Sequence, residues 1–502
     1  MKKILSIIPL IAFAAALNAT EVVVTPTSTD RQSIVVPEHT SNADTLTLNS
    51  KSYEKYTADP KTTYASVRAI KGEGSGNANF AWGTLIIDAN TEEANYTALS
   101  AAKWTHNLFT LNFKNSASSS TPIAVNFGSE LNIYSGSDKS VQKQYIIFDD
   151  TTYNVSATTV TIGNNINSGK NTSTFTVNSG SRVNWTGTTF YIRQSGIVDV
   201  YGRLDVGGTV HLDQAGAALN IKNGAKFVFT APKAFKMVEG TTMTIGSGST
   251  VTFVPGNTLT LGGTITSASA LNFYLIDSAT GTFTQTSGGV QFFRPATFNS
   301  GADWTAYDKI TLKGSDETVD RTATVTVNSG ADFAVQNANP ATHTGRIIFS
   351  GNNNLVLNKA NAITDESGNP TKLVTVSGTK NNRMTVNADQ DFFRVYVNNS
   401  DLSVYMNNTA VLRFTEEGFV SSNGAFMHVY NFREESLYIA YSESMAESVA
   451  NYVKLYDGDE TFLGMATLGT DGWVTLAIPE PATYAAFFGL LALGFAAYRR
   501  RK

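Results

Sequence analysis

Through the middle of the chain apolar and polar residues alternate, and they do so about particular glycines. Counting from Gly180, apolar residues fall five and three positions before it (Phe175, Val177) and three and five after it (Val183, Trp185). The same template recurs at Gly224 (Leu219, Ile221, Phe227, Phe229), Gly248 (Met243, Ile245, Val251, Phe253) and Gly330 (Val325, Val327, Phe333, Val335), with weaker copies near Gly202, Gly256, Gly301 and Asn352. A period of two predicts strands with one buried face, and the glycine supplies the positive φ of a tight corner. The steps from Gly180 to Gly202, Gly224 and Gly248, and from Gly330 to Asn352, are each about 22 residues, inside the range of solenoid repeats.

Two all-β architectures fit this template. In a parallel β-helix each corner joins strands on different faces of one coil, and stacked coils bury a continuous core. In an antiparallel sandwich or barrel each corner is instead a hairpin. The near-constant interval favours the β-helix, and about 250 residues at about 22 per coil predict about eleven coils in a rod about 50 Å long. Apolar β runs at 85–87, 108–113, 123–127 and 145–148 extend the pattern towards the N-terminus, with one helix expected at 95–104. Beyond residue 411 the strands become aromatic and are separated by Glu416, Glu417, Glu434 and Glu435. That change predicts a small C-terminal β-module with a short helix at 443–453, capping an end that would otherwise be an open sheet edge.

The termini read differently. Lys2 and Lys3, an apolar run to Leu17 and small residues ending at Ala19 form a secretory signal peptide. The expected organisation is therefore signal peptide at 1–19, polar arm or cap at 20–65, β-rich region at 66–160, solenoid at 161–410, β-module at 411–477 and a sorting segment at 478–502. In that last segment Pro479-Glu480-Pro481 precede an uncharged run at 482–498, followed by Arg499, Arg500, Arg501 and Lys502. Seventeen helical residues span about 25 Å, close to the lower limit for crossing a bilayer, and the terminal cations would stay on the cytoplasmic side. The two prolines keep the preceding hinge extended.

The order and spacing of the Pro-Glu-Pro triplet, the apolar run and the Arg-rich end resemble the PEP-CTERM sorting signal of bacterial exosortase substrates. The resemblance implies export by the secretion machinery, transient anchoring by a single helix and cutting near the triplet by an exosortase-type membrane protease. The product would reach the cell surface, outer membrane or extracellular matrix. The Thr, Asn and Gly-rich repeats also resemble the β-helical passenger regions of bacterial adhesins and autotransporters.

Composition narrows the chemistry. Of 37 Lys and Arg, six (Lys2, Lys3, Arg499, Arg500, Arg501, Lys502) fall in the terminal segments, against one acid, Glu480, of 41, so the exported part carries −9. Nucleic acid and anionic lipid are poor partners for such a chain. The absence of cysteine excludes disulfides, thiolate metal sites and thiol nucleophiles. The five histidines (His39, His106, His211, His343, His428) lack metal-ligand spacing, so no metal or catalytic residue is assigned. Asp199, Asp205 and Asp213 with Arg193, Arg203 and His211 are the one charged cluster in the repeats, read as solvated charge rather than as an active site. No cofactor is expected; calcium is the one ion considered, at Asp149-Asp150 or Asp457-Gly458-Asp459-Glu460, where turn chemistry is an equal explanation. Thr-x-Thr recurs at Thr159/Thr161, Thr174/Thr176, Thr242/Thr244, Thr250/Thr252, Thr258/Thr260 and Thr324/Thr326, and stacking of these pairs would give an outward ladder for carbohydrate or ordered water. Tyr191, Tyr201 and Tyr274 are candidates for stacking on sugars. The reading is a structural or adhesive surface protein that binds polysaccharide or itself, not an enzyme; the runner-up is a carbohydrate-active lyase or glycosidase on the same scaffold.

Overall fold

The computed structural model describes residues 122–127, 129–133, 143–163 and 172–477, apart from 255–256, 274, 315–321, 337–344 and 376–381. Before residue 122 it describes strands at 20–21, 34–36, 45–49, 70–72, 84–88, 104–106 and 110–114, and in the tail residues 489–493 and 498–500. The signal peptide expected at 1–19 lies wholly outside the described residues, and so does the helix expected at 95–104, except that Trp104 opens the strand Trp104–His106. Contacts divide the chain into Met1–Asp205 and Val206–Lys502, a boundary that matches none of those drawn from sequence texture.

In the first unit the strands stack in parallel on three faces. One carries Thr110–Lys114, Lys143–Phe148, Thr172–Val177 and Gly196–Val200. A second carries Ile123–Asn126, Thr152–Ser156 and Arg182–Thr186. The third carries Glu130–Ile133, Thr159–Ile162 and Thr189–Ile192. Parallel pairing places each residue on its counterpart one coil away, so Phe148 sits on Phe113 with ring centroids 5.0 Å apart, while Phe175, in register with Ile146, packs diagonally against Phe148 at 5.3 Å. Such pairs stabilise the core beyond their buried area.

The second unit is also a β-helix. One face runs through Ala218–Ile221, Thr242–Ile245, Thr264–Ser267, Thr282–Gln285, Asp303–Tyr307 and Asp332–Gln336. Another runs from Thr209–Leu212 to Val453–Tyr456. On the remaining side, Lys226–Phe229 and Thr250–Thr252 give way to a sheet that starts at Leu271–Phe273 and ends at Leu437–Ile439. The ladders are parallel until Val453–Tyr456 meets Phe462–Leu468, which excludes the hairpin sandwich. Every residue of the four templates is buried, and Gly180, Gly224, Gly248 and Gly330 all have positive φ.

Two sequence expectations need correction. The repeat is not constant in length: the step from Ile146 to its stacking partner Phe175 is more than half as long again as the step from Ile265 to Phe283. Strand spacing is set by backbone hydrogen bonds, while loop length at the corners is free to vary. The glycines also serve different corners. Gly224 turns Ala218–Ile221 into Lys226–Phe229, but Gly330 turns Ala323–Val327 into Asp332–Gln336, entering the face that Gly224 and Gly248 leave. Gly202 is not left-handed; a Cβ there would lie 2.2 Å from the Ser181 carbonyl, so its glycine is needed for close backbone approach.

Polar groups form columns too. The Asn299 amide donates to Ser278 Oγ, Asn328 to Asn299, Asn358 to Asn328 and Asn387 to Asn358, at 2.6 to 2.9 Å. A carboxamide suits this place because it donates to one neighbour and accepts from the other. Inside the second unit, Asn353 donates to Asn382, which donates to Ser400, satisfying three buried side chains.

The change of texture at 411 does not end the coil, because Leu412–Ser422 and Met427–Tyr430 continue the parallel ladders. The end comes at a cap. The expected helix is present at Glu443–Tyr452, opened by Ser442 Oγ accepting from the Met445 N–H. After Val453–Tyr456, Phe462–Leu468 and Val474–Leu476 pair antiparallel, and the Ile439 N–H donates to the Gly472 carbonyl. These elements use edge groups that an open coil would leave for another chain. Trp304, 1% exposed, packs against Phe273, Phe283, Phe298 and Phe333. Replacing it with Ala is expected to cost about 3–5 kcal/mol, read as a lower urea midpoint for loss of the β-sheet circular dichroism signal.

Candidate functional site

Of the charged cluster of the sequence, Asp205 and Arg203 are brought together. Both Asp205 carboxylate oxygens are held, Oδ2 by Arg182 Nε at 2.6 Å and Oδ1 by Arg203 Nε at 2.8 Å, and Asp205 is 2% exposed. Arg182 was not among the candidates; it lies one strand away, and only the coil register brings it there. Arg193 stacks its guanidinium on Tyr191 at 4.7 Å, and Asp199 is in register with Thr176. His211 and Asp213 belong to the second unit. Burial lowers the His211 pKa below 6.5, Asp213 opposes that shift and Lys236 adds to it.

Of the two calcium candidates, one carries a turn bonded by its own aspartate and the other a bond between coils. Asp457 Oδ1 accepts from the N–H groups of Asp459 (2.9 Å) and Thr461 (2.8 Å), and Asp149 accepts from the Asn178 amide. Among the described residues no group of three or more His, Asp or Glu is placed to hold a metal ion.

The threonine ladder forms from one of the expected pairs and from threonines that were not among them. Of the six Thr-x-Thr pairs, only Thr242/Thr244 stacks on further pairs: Thr242 on Thr264, Thr244 on Thr266, and Thr266 on Thr284, with Thr284 on Thr305. Thr242, Thr244, Thr264, Thr266 and Thr284 are exposed. Thr264/Thr266 and Thr282/Thr284 follow one and two coils further on, so a search at the coil period for the same motif would have found them. The array puts hydroxyls at about 4.8 Å from coil to coil, the same order as one sugar unit in an extended polysaccharide. Near it, where Thr250–Thr252 ends one sheet and Leu271–Phe273 starts the next, an open groove of about 490 Å³ is lined by Ser247, Ser249, Thr250, Thr252, Asn272 and Ser287, with no charged side chain.

Aromatic residues at coil period were also missed. Tyr405, Tyr430 and Tyr456 stack with centroids 4.5 Å apart, Arg383 covers Tyr405 at 3.7 Å and Phe462 packs on Tyr456 at 5.4 Å. The Arg383 guanidinium thus covers the Tyr405 end of the column, and the Phe462 ring lies tilted at 59° against the Tyr456 end. His428 bridges this column to Asp401, with Nδ1 2.9 Å from the Tyr456 hydroxyl and Nε2 3.1 Å from Asp401 Oδ2. Burial pushes the Asp401 carboxyl up, but hydrogen bonds from His428 and the Phe426 N–H, together with the His428 and Lys454 charges, outweigh it and hold the pKa low. Burial raises the Tyr456 pKa, with Tyr430 and Asp401 adding to the effect. Of the tyrosines named from sequence, Tyr201 is 45% exposed and Tyr274 lies outside the described residues.

A smaller recess of about 230 Å³ gathers unlike chemistries: Asp365, Glu416, Asn369, Thr371, Lys372 and Phe393. Lys372 Nζ lies 4.8 Å over the Phe393 ring. Asp365 Oδ1 accepts from the N–H groups of Ser367 and Asn369.

In the tail, Pro479, Glu480, Pro481 and Arg501 lie outside the described residues; Arg499 and Arg500 are helical and exposed, and 489–493 is helical. Among the described residues no helix is long and apolar enough to cross a membrane, and most of 482–498 falls outside them. The PEP-CTERM protein-sorting motif matches residues 477–502. The chain carries a PEP-CTERM sorting tail. That tail indicates an exported surface protein processed by exosortase, a membrane protease. No curated protein and no solved structure matches the chain, so the likeness of the repeats to adhesin passengers has no relative behind it.

Two outcomes follow. Replacing Pro479, Glu480 and Pro481 together by Ala in an exosortase-bearing host is expected to leave the PEP-CTERM tail uncut, read as retained C-terminal mass in the membrane fraction. For His211, the folded pKa lies below the unfolded one, so below pH 6.5 the unfolded chain takes up the proton first and stability falls with pH. The drop in urea midpoint between pH 7.5 and pH 5.5 should shrink in His211→Gln.

Proposed function

We propose that the exported chain is a structural, adhesive surface protein that holds extracellular polysaccharide along its threonine-bearing face, with residues 482–498 serving as its transient membrane helix. The observation that supports this most is the outward array of Thr242/Thr244, Thr264/Thr266 and Thr282/Thr284 on three successive coils. Each hydroxyl can donate and accept, and a periodic surface suits a periodic polymer. Many weak contacts along one chain then sum by avidity rather than through one deep pocket. The neutral, hydroxyl-lined groove of about 490 Å³ adds to the same chemistry.

A second reading, a carbohydrate-active enzyme, is favoured by one observation: the recess that joins Asp365 and Glu416 with Lys372. A pair of carboxylates is what glycoside hydrolysis requires. One experiment separates the two. The exported chain is incubated with bacterial, algal and mucin-type glycans, and both retained glycan and newly released reducing or unsaturated ends are measured. The adhesive reading expects retention without release, weakened about tenfold or more in Thr266→Val/Thr284→Val, since two sets of hydroxyl contacts at about 1 kcal/mol each would be lost. Release of ends that disappears in Glu416→Gln would overturn it in favour of the enzyme.

A further inference from the structure

The capping hairpin ends where the sorting tail begins. Val474–Leu476 pairs antiparallel with Phe462–Leu468, with Leu476 opposite Ala466, and the Ala477 N–H donates to the Met465 carbonyl. In that register the chain leaves the cap heading towards Gly464, Leu463 and Phe462. Those residues are unusual for their exposure. Among the described residues outside the tail, the exposed large apolar side chains are Tyr201, Tyr441, Phe462 (52%), Leu463 (41%) and Leu476 (36%). Three of the five thus stand at the point of exit. Leu476 Cδ1 lies 2.9 Å from the place a Cβ on Gly464 would occupy, so it reaches across the hairpin to the residue beside Leu463.

We propose that Phe462, Leu463 and Leu476 form a membrane-contact surface, which rests on the bilayer while the tail is inserted. The inference depends on the reading of 482–498 as a membrane helix. Five residues, 477–481, separate Leu476 from that helix, a reach of about 20 Å at full extension. A bilayer has hydrocarbon about 30 Å thick within about 40–45 Å overall, so the headgroup layer on one side is only about 5–7 Å deep. The short tether therefore holds the cap at the lipid surface, where even a small apolar patch is presented at high effective concentration. Exposed apolar and aromatic side chains are favoured at that depth. The rim selects among lipids: Asp459 and Glu460 are exposed next to Phe462, so the surface suits zwitterionic rather than anionic headgroups.

The test uses the whole chain, which has no native cysteine. Leu463→Cys is labelled with an environment-sensitive fluorophore, as is Thr470→Cys in the turn at the far end of the hairpin, and each protein is reconstituted into phosphatidylcholine vesicles and floated. In floating protein the Leu463→Cys probe is expected to be blue-shifted and several-fold less quenched by iodide than the Thr470→Cys probe, with the difference reduced by Phe462→Ser/Leu476→Ser. Floating protein in which both probes are equally quenched overturns the contact surface while leaving the membrane helix standing. Protein that does not float overturns the membrane helix, and the contact surface with it.

Discussion

Parallel pairing in register is the constraint on which everything else depends. Once the backbone of one coil is bonded to the next, each side chain must sit on its counterpart, inside or outside. This is why Phe148 meets Phe113 and Val177, why Asn358 meets Asn328 and Asn387, and why Thr266 meets Thr244 and Thr284. The three columns differ chemically but share one geometry. A parallel ladder multiplies whatever it is given: a residue that fits is reinforced by its neighbours, and a carboxylate would be repelled by a copy of itself one coil away. The neutral columns of Asn and Thr avoid that repulsion, whereas Asp303 stands in register on Asp332, and Lys309, Arg346, Lys372 and Arg394 follow one another along one ladder.

The core was legible because burial leaves a period of two in the sequence. Every residue of the Gly180, Gly224, Gly248 and Gly330 templates is inside, and the alternation alone identified them. Corner identity was not legible. Gly224 and Gly330 look alike locally because both need a left-handed turn between two half-buried strands, yet they join different pairs of faces. Which face follows a corner is decided by the whole coil, and coil length varies with loops whose sequence carries no period.

The surface was less legible for a related reason. Contacts across coils link residues a full coil apart along the chain, so nearness in the sequence misleads. Arg182 and Arg203 close on Asp205, whereas the candidates Asp199 and Arg193 find other surroundings. Tyr405, Tyr430 and Tyr456 look unrelated when read in order and form one column when read in coils. The sorting tail was fully legible because its information lies in linear order and not in folding, and its motif matches residues 477–502.

Neighbour-only stacking also bears on how such a molecule changes over generations. A coil touches the one before and the one after, and the unequal steps from Ile146 to Phe175 and from Ile265 to Phe283 show that its length is not fixed. The cap at 443–476 is joined to the coils nearest it, through contacts such as those of Ile439 with Gly472 and of Gly418 with Met445. A whole coil can therefore be duplicated or deleted between the two ends without disturbing either closure or delivery, in the manner of a repeat array with nearest-neighbour energetics. The number of coils that the sorting tail delivers is then something evolution can count up or down, one at a time.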